Sequence, residues 1–192
     1  MSEKRVGLII GHSLKSPGAE NYLHNISEYT FNTALVNDVS DILKRNLNNV
    51  WPIILTRDGR HYKDMPAFVL AHSLDISVEF HANSVLEGVL RQGVSGHEVW
   101  YYAPSAPGRF LAQYLNAAIG SVFGNRDRGI KGGYADGNAG PMLRYVGAEI
   151  PFALIEPFFI CCDKELENAR DRRGALAQVL ADAILAFLGS QK

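Results

Sequence analysis

Short apolar runs alternate with helical hydrophobic patterns along the whole chain, the rhythm of an α/β fold. Residues 6–10 form the first run. A polar loop over 11–26 leads to a helix, with Ser27 placed to cap its start. Phe31, Leu35, Val39, Ile42, Leu43 and Leu47 give that helix one apolar face. Residues 50–55 form a second run, and Pro52 within it predicts an edge strand. A short helix over 65–74 precedes a third strand over 75–80, in which Ile76, Val78 and Phe80 alternate. A fourth strand spans 98–102, and a helix spans 109–119. Residues 120–140, rich in glycine and charge, read as a long surface loop. A buried-type strand over 152–155 and one long helix over 166–188 complete the pattern. The expected fold is α/β: a twisted, mostly parallel sheet with helices on both faces. With 192 residues, no repeat and no linker, one domain spanning 1–192 is expected.

Composition narrows the function. The chain is 47% apolar and 20% charged, values of an ordinary globular protein rather than a disordered one. Nineteen basic and twenty acidic residues give a net charge of -1, so no bulk attraction to nucleic acid or to an anionic membrane is expected. No stretch reaches the ~20 apolar residues that span a bilayer. The first apolar run is too short for a signal-peptide core, so synthesis in a cytoplasm without a signal peptide is expected. The cysteines are neighbours, Cys161 and Cys162, and cannot build a disulfide framework.

Three apolar runs each lead straight into a residue with acid–base or ligand chemistry: His12, His81 and Glu156. In open, mostly parallel sheets, ligands bind beyond the carboxyl ends of the strands. If these strands are parallel neighbours, the three side chains converge, and two imidazoles with a carboxylate suit Zn²⁺. A catalytic zinc keeps a position open for water and works with a further carboxylate. Glu28, in the first turn of the first helix, can supply the additional acid. The candidate set is therefore His12, Glu28, His81 and Glu156. Each has an ordinary structural alternative, such as a hydrogen-bonded histidine or an acid at a helix start. His97 reads as a surface residue that could instead face the site. Residues 124–131 lack the Gly-Lys-Ser/Thr ending of a phosphate loop and read as a solvated loop or a rim for an anionic or peptide substrate. There is no Gly-x-Ser-x-Gly, and the two cysteines read as structural thiols.

Gly11-His12, Glu28, Leu55-Thr56-Arg57, Phe80-His81-Ala82-Asn83, the stretch 95–102, Arg128-Gly129-Ile130-Lys131 and the stretch 155–160 occur in that order. In this the chain resembles the zinc-dependent N-acetylmuramoyl-L-alanine amidases of the type 3 family, cell-wall amidases of bacteria and their phages. The resemblance covers nearly the whole chain. It implies zinc held by His12, Glu28 and His81, with Glu156 as the acid–base. It also implies hydrolysis of the amide between the lactyl group of N-acetylmuramic acid and L-alanine in peptidoglycan.

With no separate wall-binding domain visible, the expected role is endolysin-like. The enzyme would be a monomer, made in the cytoplasm, released by a holin and active on the cell wall. The alternatives are a host amidase for wall remodelling or spore release, another zinc peptidase or amidohydrolase acting on a small amide, and a catalytically dead peptidoglycan-binding module.

Overall fold

The structure, a computed structural model, describes residues 3–45, 49–85, 94–133 and 140–190. Its centre is a six-stranded sheet in the order β4-β1-β5-β8-β6-β7. The strands are β1 (Lys4–Ile10), β4 (Val50–Leu55), β5 (Ile76–Phe80), β6 (His97–Tyr102), β7 (Asp127–Gly133) and β8 (Phe152–Glu156). β2 (Glu20–Asn21) and β3 (Ile26–Ser27) form a separate small hairpin within the stretch read as a polar loop. β4, β1, β5 and β8 are parallel neighbours, while β6 runs antiparallel to β8 and parallel to β7. The expected α/β fold with a mostly parallel sheet is therefore present, and Pro52 sits on an edge strand as expected.

Helices cover both faces. On one lie α1 (Glu28–Arg45) and α3 (Ala106–Phe123), which pack on the sheet, and α5 (Arg173–Ser190), which packs against both. Their side chains close a core containing Phe31, Leu35, Val39, Leu111, Leu115, Leu180 and Phe187. α5 is long and apolar enough to cross a membrane by length and composition, and it packs here as a core helix against α1 and α3. The other face carries α2 (Met65–Leu70) and a turn of π-helix (Met142–Val146), over a smaller core with Ile9, Leu55, Met65, Phe152 and Leu154.

The start of α1 follows from local chemistry. Ser27 Oγ accepts the Thr30 backbone N–H at 3.2 Å, satisfying a donor that the first helical turn leaves unpaired. Phe31, Leu35, Val39 and Leu43 recur on one face and are almost wholly buried.

Four expectations are corrected. Within 120–140, α3 continues to Phe123 and Asp127–Gly133 is a strand; residues 134–139 lie outside those described. Its three glycines hid β7, whose ladder bonds to β6 supply an order that side-chain patterning does not. The long helix over 166–188 is two helices, α4 (Asp163–Asp171) and α5, broken at Arg172. There the Arg172 guanidinium donates to the Val122 carbonyl at 2.8 Å and Arg173 pairs with Asp38 at 2.7 Å, contacts with distant residues that local periodicity cannot register. α2 ends at Leu70 rather than at 74, in a turn where Ser73 has φ +51°. His97 is buried, not on the surface, and its Nδ1 lies 2.6 Å from Asn125 Oδ1.

Candidate metal centre and acid–base pair

The carboxyl ends of β1, β5 and β8 lie side by side, so the residues that follow them share one edge of the sheet. The first is His12, whose φ of +66° is a conformation that side-chain-bearing residues avoid. Such strain costs about 1–3 kcal/mol and persists where surrounding structure demands it. Gly11 before it is required by close approach. A Cβ there would lie 2.5 Å from the Phe80 carbonyl oxygen and 2.7 Å from the His81 ring. Gly18 plays the same part across the site. It has φ +82°, and a Cβ on it would meet Glu28 Oε2 and the His12 ring at 2.7 Å.

Glu28 opens α1 as expected, and it points inward, 3% exposed. Both of its oxygens are held by backbone: Ala82 N–H donates to Oε1 at 3.0 Å and Ala19 N–H to Oε2 at 3.3 Å. His81 Nδ1 lies 2.9 Å from Oε1 and His12 Nε2 lies 3.1 Å from Oε2. One ligand atom each from His12, Glu28 and His81 fall within 4.8 Å of one another. Among the described residues this is the group of histidine, cysteine and acidic side chains that could hold a metal ion. Glu156 stands outside it. The residues alone had offered Glu156 as a ligand and Glu28 as the additional acid; the geometry groups Glu28 with the imidazoles instead.

The charges fit a cation. Burial works against ionisation of Glu28, but hydrogen bonds from His12 and His81, then their positive charge, bring its carboxyl down to about 2. Burial likewise opposes a charged His81, and hydrogen bonds to Glu28 and Glu79 outweigh it, raising the imidazole to about 10. Carboxylates on both sides of one ring call for positive charge at this point. Two nitrogens and a carboxylate oxygen are a donor set suited to zinc.

Beside this group, Glu156 at the end of β8 faces Glu98 on β6 across the antiparallel junction. Burial, then the hydrogen bond with Glu98 and the negative charge of Glu98, push Glu156 up to about 8. Burial also opposes ionisation of Glu98, but hydrogen bonds from Arg128 and Lys131, followed by that from Glu156, win and hold it well below the usual carboxylate range. Arg128 Nε lies 2.5 Å and Lys131 Nζ 3.0 Å from Glu98 Oε2. Trp100 Nε1–H donates to Glu98 Oε1 at 3.1 Å.

Residues three apart on a regular strand point to opposite faces. The register between β6 and β7 shifts by one residue between His97 and Val99, which lets Arg128 and Lys131 reach the same carboxylate. These two cations, read from sequence as part of a solvated loop or rim, are thus engaged with Glu98. Asn83 completes the arrangement, donating to Glu156 Oε2 at 2.8 Å and to Glu98 Oε1 at 3.2 Å.

His12, His81, Asn83, Glu98, Arg128 and Glu156 line a cavity of about 680 Å³, together with Arg57, Tyr62 and Trp100. Sequence reasoning assigned no role to Glu98. Its signal was an acid at the head of the apolar run Val99-Trp100, the counterpart of Glu156 at the tail of another. His97, next to Glu98, takes no part in the cavity lining. Cys161 and Cys162 are free and half-buried.

The profile of the amidase family described as N-acetylmuramoyl-L-alanine amidase matches residues 6–186. No curated protein matches the chain by sequence. The structure resembles that of an N-acetylmuramoyl-L-alanine amidase from Clostridium difficile 630, with TM-score 0.83, 22% identity and 99% of each chain covered. It also resembles the catalytic domain of the amidase CwlV from Bacillus (Paenibacillus) polymyxa var. colistinus, with TM-score 0.78 and 24% identity, covering 97% of this chain and 98% of that one. The catalytic domain of an endolysin targeting Clostridia difficile aligns with TM-score 0.74 and 18% identity, covering 96% of this chain and 98% of that one. These likenesses establish a shared fold.

Proposed function

The chain belongs to the N-acetylmuramoyl-L-alanine amidase family, enzymes that hydrolyse peptidoglycan, and from that premise we propose a zinc-dependent mechanism for it. His12, Glu28 and His81 hold the zinc ion, and Glu156 is the acid–base residue. The observation that carries this reading is the grouping of the three ligand atoms within 4.8 Å. A bound zinc ion would supply polarisation of the scissile carbonyl and acidification of water.

The chain's own residues do the rest. Asn83 fixes Glu156 through Oε2 at 2.8 Å, so its carboxyl enters the reaction in one orientation. Glu156 takes a proton from the attacking water and passes it to the nitrogen of the departing L-alanine. The products are a lactyl carboxylate on the muramic acid and a free L-alanine amine. Glu98, saturated by Arg128, Lys131 and Trp100, stays ionised and keeps Glu156 a weak enough acid to hold that proton until the amine leaves. Arg57 makes no ion pair among the described residues and lines both this cavity and an adjoining groove of about 590 Å³ with Lys15 and His61, supporting entry of the carboxylate-bearing stem peptide from that side.

The proposal extends to a monomeric catalytic domain that acts on the wall outside the cytoplasm, in lysis after holin release. The fold it shares with an endolysin catalytic domain supports the lytic role. Co-expression with a holin is expected to lyse a bacterial host, and intact cells would overturn that role.

The chemistry is tested by metal content combined with digestion of purified sacculi. One zinc per chain, loss of digestion with a chelator, recovery with zinc, and new L-alanine N-termini among the products are expected. Digestion by zinc-free enzyme would overturn the mechanism, and release of peptide fragments without new L-alanine termini would point to a different zinc peptidase.

A further inference from the structure

The proposed mechanism leaves one buried acid without a task. Glu79 lies on β5 between Ile9 of β1 and Leu154 of β8 in register. Both neighbours belong to the smaller core, and Glu79 itself is only 3% exposed. Its Oε2 is buried and has no hydrogen-bond partner. An acid so placed among apolar side chains is unfavourable unless something else requires it. Burial and then the charge of Glu79 hold the Tyr62 hydroxyl protonated, yet Oε2 accepts no hydrogen bond from it.

What Glu79 touches is His81. The two residues are two apart, so they project to the same face of the strand. Glu79 Oε1 lies 3.2 Å from His81 Nε2, while the other ring nitrogen, Nδ1, faces Glu28 at 2.9 Å. The imidazole is gripped on both edges, by the candidate metal ligand on one side and by a core carboxylate on the other. Gly11 packs against the same ring, and any side chain there would collide with it.

We propose that Glu79 is a positioning residue for the metal centre: its carboxylate accepts the His81 Nε2–H, fixing the ring's orientation and tautomer so that Nδ1 presents its lone pair to the cation. Acceptors behind a ligating histidine typically govern metal affinity by about 10–100-fold. The role is distinct from that of Glu28, which meets the ring on its opposite edge. It also accounts for keeping an acid in a core that would otherwise favour an apolar residue. The inference rests on the proposal that His81 is a zinc ligand.

The test is zinc affinity, measured by competition with a chromophoric chelator on wild type, Glu79→Leu and Glu79→Gln, alongside the thermal stability of each metal-free protein. Leucine removes the acceptor and suits the apolar core, so the metal-free fold is expected to keep its stability while zinc binding weakens about 10–100-fold. Glutamine keeps an acceptor oxygen and is expected to restore most of the affinity. Unchanged affinity in Glu79→Leu, or equal losses in both variants, would overturn the inference while leaving the zinc site standing. A wild type that binds no zinc would overturn both. Should Glu79→Leu fail to fold, imidazole nitrogen NMR of the zinc-loaded wild type decides: Nδ1 ligated with Nε2 protonated is expected, and the reverse overturns the assignment.

Discussion

Glu98 and Glu156 stand opposite each other on antiparallel neighbouring strands, and the single amide of Asn83 bonds to both, at 3.2 and 2.8 Å. Among the described residues, only Glu98 of the two is ion-paired with arginine or lysine. Arg128 and Lys131 both serve Glu98, so the negative charge settles there and the proton settles on Glu156. Environments that drive two acids apart in this way separate an acid–base residue from an electrostatic partner.

That asymmetry sets a pH dependence. Burial and the Glu98 charge raise Glu156, and a general base works only when deprotonated, so kcat/KM rises with pH above the ordinary carboxylate range. Glu98→Gln removes the neighbouring charge. The acid limb of the profile is expected to move to lower pH by about one unit or more. A limb left where it was would remove Glu98 from this role.

Replacing Glu156 itself separates binding from chemistry. Glu156 is not among the three grouped ligand residues. Glu156→Gln is expected to keep one zinc per chain while kcat on sacculi falls by about 10²–10⁴-fold, the usual worth of a positioned acid–base group. Undiminished release of L-alanine termini would contradict the assignment.

Gly11 offers a test of close approach. In Gly11→Ala the added methyl meets the Phe80 carbonyl at 2.5 Å and the His81 ring at 2.7 Å. Overpacking of this kind costs about 1–3 kcal/mol. The ring is expected to be displaced, so zinc affinity should fall along with the melting temperature, both readable on the same purified protein.

The seat of Glu28 depends on the core one turn further along α1. Phe31, 2% exposed, packs edge-to-face on Phe158 with ring centroids 4.8 Å apart. Phe31→Ala is expected to destabilise the fold by about 3–5 kcal/mol. At about 2–4 °C per kcal/mol for a chain of this size, thermal denaturation detects it readily.

Much of this arrangement was legible in the chain. The alternation of apolar runs with amphipathic helices announced an α/β sheet, Pro52 announced an edge, and Ser27 announced the start of α1. His12, His81 and Glu156 stood out because each follows an apolar run, and parallel strands bring such ends together. Glu98 escaped for the same reason in reverse. β6 runs antiparallel to β8, so its beginning, not its end, reaches the site edge. β7 escaped because its glycines and charges carry no hydrophobic alternation, and the break at Arg172 because its anchors, Val122 and Asp38, are far away in the chain.

Hydrophobic period and residue chemistry, both local properties, were enough to determine the class of fold and to single out four candidate side chains for metal-assisted hydrolysis. Those local properties left open which acid joins the imidazoles; the family resemblance implied Glu28, and tertiary structure places Glu28 beside them and sets Glu98 opposite Glu156. Strand direction and register are set by packing between segments far apart in sequence, and a reversal at one junction brings Glu98, Arg128 and Lys131 to the edge that His12, His81 and Glu156 already occupy.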